Sequence, residues 1–270
     1  MAALVNPRAP ARSMLRGYHR WLYALPAGEM PQCVHCNGQT FQHVRTFKHD
    51  FFAATGLYQG PNGLAVLKLG RQGDLFGFPL RWIGRFLAAR EARLYRLVND
   101  LPGVPRFIGT VGDTGLLHAY VPGHPLGRNE VVNDEFFNAL QHLLAALHAR
   151  HIAYVDLNKR QNILMGDDGR PHLIDFQISL RLSPAGWRRL APLRWLLARF
   201  QHADCYHCLK HKRRLRPDLL TPEELAVLEK LSIWIRLHRV VARPLIQARR
   251  WLLQRVRRSE TVTVTGSDAK

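Results

Sequence analysis

The stretch from His148 to Ser179 constrains the fold of this chain more than any other part of it. An apolar run over residues 152–155 ends at Asp156, and six residues later Asn162 opens onto Ile163 and Leu164. Gly166-Asp167-Asp168-Gly169 then turns the chain into a further apolar run that closes on Leu173-Ile174-Asp175-Phe176. Short apolar runs joined by an Asp-Gly turn predict a β-hairpin. Its open end carries Asn162 on one strand and Asp175 on the other, with Asp156 just upstream. The rest of the chain is large enough to support such a site, because 270 residues with 47% hydrophobic content make one large domain or two lobes.

Two carboxylates and an amide so placed suit phosphoryl transfer from a nucleotide. One carboxylate orients the attacking hydroxyl, while the amide and the second carboxylate hold Mg²⁺. At these residues the chain resembles the protein-kinase superfamily. Asp156-Leu157 with Asn162-Ile163-Leu164 is similar to the catalytic loop, and Ile174-Asp175-Phe176 to the metal-binding Asp-Phe-Gly. The thirteen residues from Asn162 to Asp175 match the family spacing. Three positions depart from it: the step from Asp156 to Asn162 is one residue longer, Val155 replaces the Arg that reads activation-loop phosphorylation, and Gln177 replaces the Gly. The resemblance implies an α+β, bilobal fold with a small antiparallel-sheet lobe, a compact helical lobe, and ATP and Mg²⁺ between them. It implies that Asp156 accepts or orients the hydroxyl proton, Lys159 stabilises the transferring phosphoryl, and Asn162 and Asp175 hold the metal. The added residue leaves room for Asn158 to take part.

Strands are predicted over residues 40–47, 53–59 and 64–69, with a turn at Pro61-Asn62-Gly63. Lys68 then stands where the family carries its phosphate-binding lysine, and Glu91, in a helix expected over 82–98, is its implied partner. The plain alternatives are a solvated edge-strand lysine and a glutamate that screens the arginines of its own helix. No glycine-rich signature precedes Lys68, so Lys48-His49-Asp50 is expected to cap the nucleotide through backbone amides and the Lys48 ammonium. Further strands are predicted over 107–110 and 116–120, and Ala119-Tyr120-Val121-Pro122-Gly123 resembles the interlobe hinge. That resemblance implies adenine contacts from the backbone of Tyr120 and Val121. Asn133 or Asp134 is positioned to cap a helix running to about Ala149. His148, near its end, reads as a hydrogen-bonded core residue rather than a base.

Only 95 residues follow Asp175, without an Ala-Pro-Glu element. Helices are expected over 184–212 with a break, over 221–238 capped by Thr221, and over 240–258, followed by a disordered tail. So small a large lobe resembles the minimal kinases, namely bacterial lipopolysaccharide core (Kdo and heptose) kinases and RIO-type kinases. The expected division is an extension over 1–40, a small lobe over 41–121, a large lobe over 122–258 and a tail over 259–270. Four cysteines form two CxxC pairs, Cys33 with Cys36 and Cys205 with Cys208. Ordinary thiols are the preferred reading of them, and one shared zinc ion is the alternative.

Charge points to the partner. The chain carries +19, of which +6 lies in residues 1–175 and +13 in residues 176–270. A surface of that sign seeks phosphate. Residues 231–258 hold eight arginines and no acid, with Leu237, Val241, Leu245, Leu252 and Val256 at helical spacing, and residues 181–200 add five arginines with Trp187 and Trp195. These stripes either pack the large lobe or meet an anionic membrane surface. Nucleic acid is disfavoured, since few paired aromatics are present to stack bases. The expected acceptor is a sugar hydroxyl on a lipid-linked glycan, then a protein Ser/Thr; a non-catalytic kinase-like scaffold is the third reading. Without a long apolar stretch or a secretory signal, the chain is expected in the cytoplasm, peripheral on the membrane.

Overall fold

The computed structural model describes residues 23–74, 79–182 and 190–229. Residues 1–217 form one compact unit and residues 218–270 a second. In the first unit, β1 (Cys33–Cys36), β2 (Gln39–His49), β3 (Ala53–Gly60), β4 (Gly63–Gly70), β5 (Phe107–Val111) and β6 (Gly115–Ala119) make one antiparallel sheet, ordered β1-β2-β3-β4-β6-β5. Asn37 and Gly38, both at positive φ (50° and 74°), make the tight β1–β2 turn. The central strands β3 and β4 are buried along most of their length, and Leu67 and Tyr58 are fully buried.

The sheet begins ahead of the expected boundary at residue 41. Leu25, Met30, Val34 and Cys36 pack with Phe41, Ala54, Tyr58 and Leu117, so residues before 41 belong to the small-lobe core. A four-residue strand is too short to show a period, which is why this segment reads as irregular in the sequence. Asn37 Nδ2 donates to Ile108 O at 2.8 Å and Cys36 Sγ to Thr110 O at 3.6 Å, linking the two ends of the sheet order. Gly109 permits that approach; a Cβ there would lie 2.4 Å from Cys36 Sγ.

Helix α1 (Arg81–Leu97) packs against the sheet, burying Glu91 along with Ala88, Ala92, Leu94 and Tyr95. Beyond β7 (Gly123–Pro125), α2 (Phe136–Ala149) buries Phe136, Phe137, Leu140, Leu143, Leu144 and Leu147. Its cap differs from expectation. Glu135 is the N-cap and its side chain bonds no backbone amide, while Asn133 donates to Gly169 O at 3.0 Å and Asp134 pairs with Arg216 at 2.6 Å. β8 (Ile152–Ala153) pairs with β11 (Leu180–Arg181). The hairpin forms from β9 (Ile163–Gly166) and β10 (Pro171–Leu173), with Ile163 opposite Leu173, and β7 adds on its other side. A 3-10 turn over Arg160–Asn162 precedes β9.

Helix α3 (Ala191–Leu215) is continuous through its 25 residues, and the start of the expected helix, residues 184–189, lies outside the described residues. In the second unit, α4 (Pro222–Glu229) is capped reciprocally: Glu224 N donates to Thr221 Oγ1 at 3.3 Å and Thr221 N to Glu224 Oε2 at 3.1 Å. The expected helix over 240–258, the arginine stripe over 231–258 and Trp187 lie outside the described residues. Among the described residues no helix is long and apolar enough to cross a membrane.

Candidate active site

Lys68 joins three elements. It sits on β4 opposite Thr55 and Leu116, and its ammonium reaches Glu91 Oε2 of α1 at 2.8 Å, Oε1 at 3.0 Å, and Asp175 Oδ1 at 2.8 Å. Burial works against the ammonium, but Glu91 and Asp175 outweigh it and hold the Lys68 pKa above the ordinary lysine value. Burial also raises Glu91, whereas for Asp175 the pull of Lys68 overcomes burial and lowers the pKa. Two carboxylates therefore share one ammonium, and the more exposed of them, Asp175, keeps its charge more readily. Such a surplus of negative charge favours a cation.

Phe176 fixes Asp175 from behind. Its fully buried ring meets Tyr95 edge-on at 5.1 Å and Tyr154 at 5.3 Å. Where the family has a glycine, Gln177 N approaches Asp175 Oδ1 at 3.4 Å, and its carbonyl accepts from Arg90 Nη1 of α1 at 3.2 Å. Arg90 also bonds Ser179 O, so α1 holds the segment after Asp175 as well as Lys68. Nothing in the sequence singles out Arg90 among the five arginines of its helix.

The catalytic-loop residues converge on one oxygen. Asp156 Oδ2 accepts from Lys159 Nζ at 2.7 Å and from Asn162 Nδ2 at 2.8 Å, leaving Asp156 Oδ1 for a hydroxyl. With its amide nitrogen committed, Asn162 keeps Oδ1 as a ligand oxygen, and Ile174 N bonds Asn162 O at 3.1 Å beside Asp175. Asn158 is committed elsewhere, accepting from Lys210 Nζ at 3.0 Å.

This loop is held in an unusual backbone shape. Val155 has φ 72° and Asp175 φ 64°, and a β-branched residue in the left-handed region is costly. The restraint comes from α3. Asp204, fully buried, accepts from Tyr154 N at 2.7 Å, Val155 N at 2.8 Å and His148 Nε2 at 3.2 Å. Burial favours neutral His148, but Asp204 and Cys205 outweigh it and raise the pKa to about 9. His148 is thus the hydrogen-bonded residue that its position suggests. Asp204 escapes a sequence reading, because the backbone amides it caps lie about fifty residues away.

The remaining predicted residues fall into two groups. Tyr120 and Val121 follow β6; Tyr120 N is committed to Leu64 O at 3.0 Å, whereas Val121 N makes no hydrogen bond among the described residues. Phe47, 43% exposed on β2, lies nearly parallel to Tyr120 at 6.5 Å, an aromatic pair the sequence reading passes over. His118 stacks on Tyr95 at 5.3 Å, and burial lowers its pKa to about 4. An open cleft of about 700 Å³ touches Ala119, Tyr120 and Asp167 but not Glu91, Asp156 or Asp175. Lys48 stands level with Lys68 across Thr55, exposed and paired with Asp50 at 2.6 Å.

The cysteines are not brought together. Cys36 packs in the small-lobe core and Cys208 in the large-lobe core, while Cys33 and Cys205 are exposed. On strand β1, Cys33 and Cys36 fall on opposite faces instead of converging on one metal. Among the described residues no three His, Cys, Asp or Glu side chains cluster to hold a metal ion, so the shared zinc site is corrected.

No family model and no curated protein matches the sequence. Among solved structures the chain is similar to the Rio2 kinase from Chaetomium thermophilum, with 17% identity and TM-score 0.47 over 69% of this chain and 63% of that one. It is also similar to that kinase's ADP/Mg²⁺–phosphoaspartate complex, with 16% identity and TM-score 0.50 over 73% and 61%. The chain spans less than two thirds of the length of either structure. The second likeness agrees with the architecture above: this is a protein-kinase-like fold.

Proposed function

We propose that the protein is an ATP-dependent phosphotransferase acting on a hydroxyl, with lipid-linked sugar as the acceptor class. The observation that carries the reading is the Lys68 ammonium held between Glu91 and Asp175, with Asp156, Lys159 and Asn162 bonded together alongside. Adenine enters at the hinge against Tyr120, Val121 and Phe47, with Lys48 near the phosphates. Lys68 anchors the α- and β-phosphates and Glu91 fixes its ammonium. Asn162 Oδ1 and Asp175 Oδ2 suit a hard cation, since Mg²⁺ takes one or two protein oxygens and completes its shell with phosphate and water. A cation held by these two oxygens would neutralise charge on the phosphate oxygens. Asp156 orients the hydroxyl and takes its proton as the new P–O bond forms and the bond to ADP breaks. Lys159 offsets charge on the moving phosphoryl.

The glycolipid acceptor is supported by the basic balance of residues 176–270. ATP consumption measured with and without membrane glycolipid tests both parts. Asp156→Ala should cut transfer by about a thousandfold while nucleotide binding persists, and Asp175→Ala should weaken Mg-ATP binding itself. Wild-type turnover in both variants refutes the phosphotransferase; turnover indifferent to glycolipid refutes the acceptor.

A further inference from the structure

Three arginines from three segments gather beside the catalytic loop: Arg128 after β7, Arg160 in the 3-10 turn before β9, and Arg214 in the last turn of α3. Arg214 Nε donates to the Arg128 carbonyl at 3.2 Å, tying two of the segments together. The charges that act on Arg160 are Arg214 and Arg128, both of its own sign. Its Nη1 is buried and makes no hydrogen bond among the described residues. Glu130, the acid nearest to Arg128 in sequence, accepts from Gly127 N at 3.0 Å and faces His124 at 3.2 Å.

The cationic face continues along the loop through Lys210, which holds Asn158, while Lys159 stands one residue before Arg160 and reaches Asp156. His211, bonded to Leu157 O at 2.8 Å, is kept neutral by burial and then by Lys210, Arg160 and Arg214, so no imidazolium adds to the repulsion. Packing does not call for such an assembly. Like charges and an unpaired buried N–H both oppose folding, and a ligand with several anionic oxygens offsets both at once. Guanidinium forks match phosphate in geometry as well as charge.

We propose that Arg128, Arg160 and Arg214 form a phosphate site, and that the acceptor already carries a phosphate monoester when its hydroxyl meets Asp156. The first half stands on the arginines alone; the second rests on the phosphotransferase reading. The resident phosphate is held and not transferred, so it selects an acceptor whose hydroxyl lies a short distance from an existing phosphate.

Calorimetric titration of inorganic phosphate into full-length Lys68→Met protein tests the site with the nucleotide lysine removed. Saturable binding should persist, weaken about tenfold or more in Arg160→Gln and in Arg214→Gln, and be unaffected by Lys48→Gln. Relief of repulsion should leave the melting temperature of both arginine variants at or above that of the parent. Absent binding, or binding indifferent to both substitutions, overturns the site. Glycolipid acceptor treated with phosphatase separates the sources: the wild type should lose most turnover on it, and Arg160→Gln should erase the difference. Equal turnover before and after treatment overturns the acceptor assignment and leaves a site for free phosphate. Phosphate binding at the arginines in a protein that consumes no ATP sinks the phosphotransferase and spares the site.

Discussion

Asp204→Asn tests how the catalytic loop is held. The buried carboxylate serves Tyr154 N, Val155 N and His148 at 2.7, 2.8 and 3.2 Å. An asparagine of the same size offers one acceptor oxygen, so one backbone N–H is left facing an amide NH₂, at a cost of about 1–3 kcal/mol. The imidazolium also loses its counter-charge. A His148 pKa raised from 6.5 to about 9 corresponds to about 3 kcal/mol of pairing, shared between Asp204, the larger contributor, and Cys205. Because one carboxylate supplies both effects they overlap, and about 4 kcal/mol is expected for the loss at pH 6. The sign follows from linkage: folded His148 holds its proton more tightly than unfolded His148, so the pairing is fully present below pH 6.5 and lost as pH rises through about 9. Urea unfolding of wild type and variant at pH 6 and pH 9.5 measures this. The difference between them should shrink to about 1–2 kcal/mol at the higher pH, where only the backbone bonds distinguish them. A difference that is the same at both values, or a variant as stable as wild type, refutes the clamp.

Glu91→Gln leaves Lys68 with Asp175 as its one carboxylate and is expected to raise KM for ATP about tenfold, read from initial rates. Val155→Asn places a residue that tolerates positive φ where a β-branched one is strained, and should raise the unfolding free energy by about 1 kcal/mol in urea.

The parts of the site that rest on local spacing are legible in the sequence. Asp156, Asn162 and Asp175 are joined by a hairpin whose register, Ile163 opposite Leu173, follows from a short loop. Lys68 and Glu91 are 23 residues apart, yet each is conspicuous, one as a lysine in an apolar strand and one as the acid in a basic helix. What stays hidden depends on packing between distant segments. Asp204 lies about fifty residues from the amides it caps, and Arg90 differs from its helix neighbours only in the direction it faces. The lobe boundary fails for a related reason: Leu25 and Met30 become core residues only once the sheet exists to cover them. The CxxC spacing alone does not tell thiols from a metal site; here Cys33 and Cys36 fall on opposite faces of a strand, and Cys36 and Cys208 are packed in different cores.

The link between the ends of the small-lobe sheet has a consequence for how other molecules can dock there. An open strand edge is a template: its bare carbonyls and amides accept any extended peptide, including a neighbour's strand in an aggregate. Ile108 O and Thr110 O are already taken by Asn37 and Cys36. A peptide lengthening the sheet beside β5 would first have to displace them. Recognition on this lobe therefore falls to side chains such as the exposed Trp82 and Phe86 of α1, and Asn37→Asp, which reverses the donor, would open the sheet to strand addition.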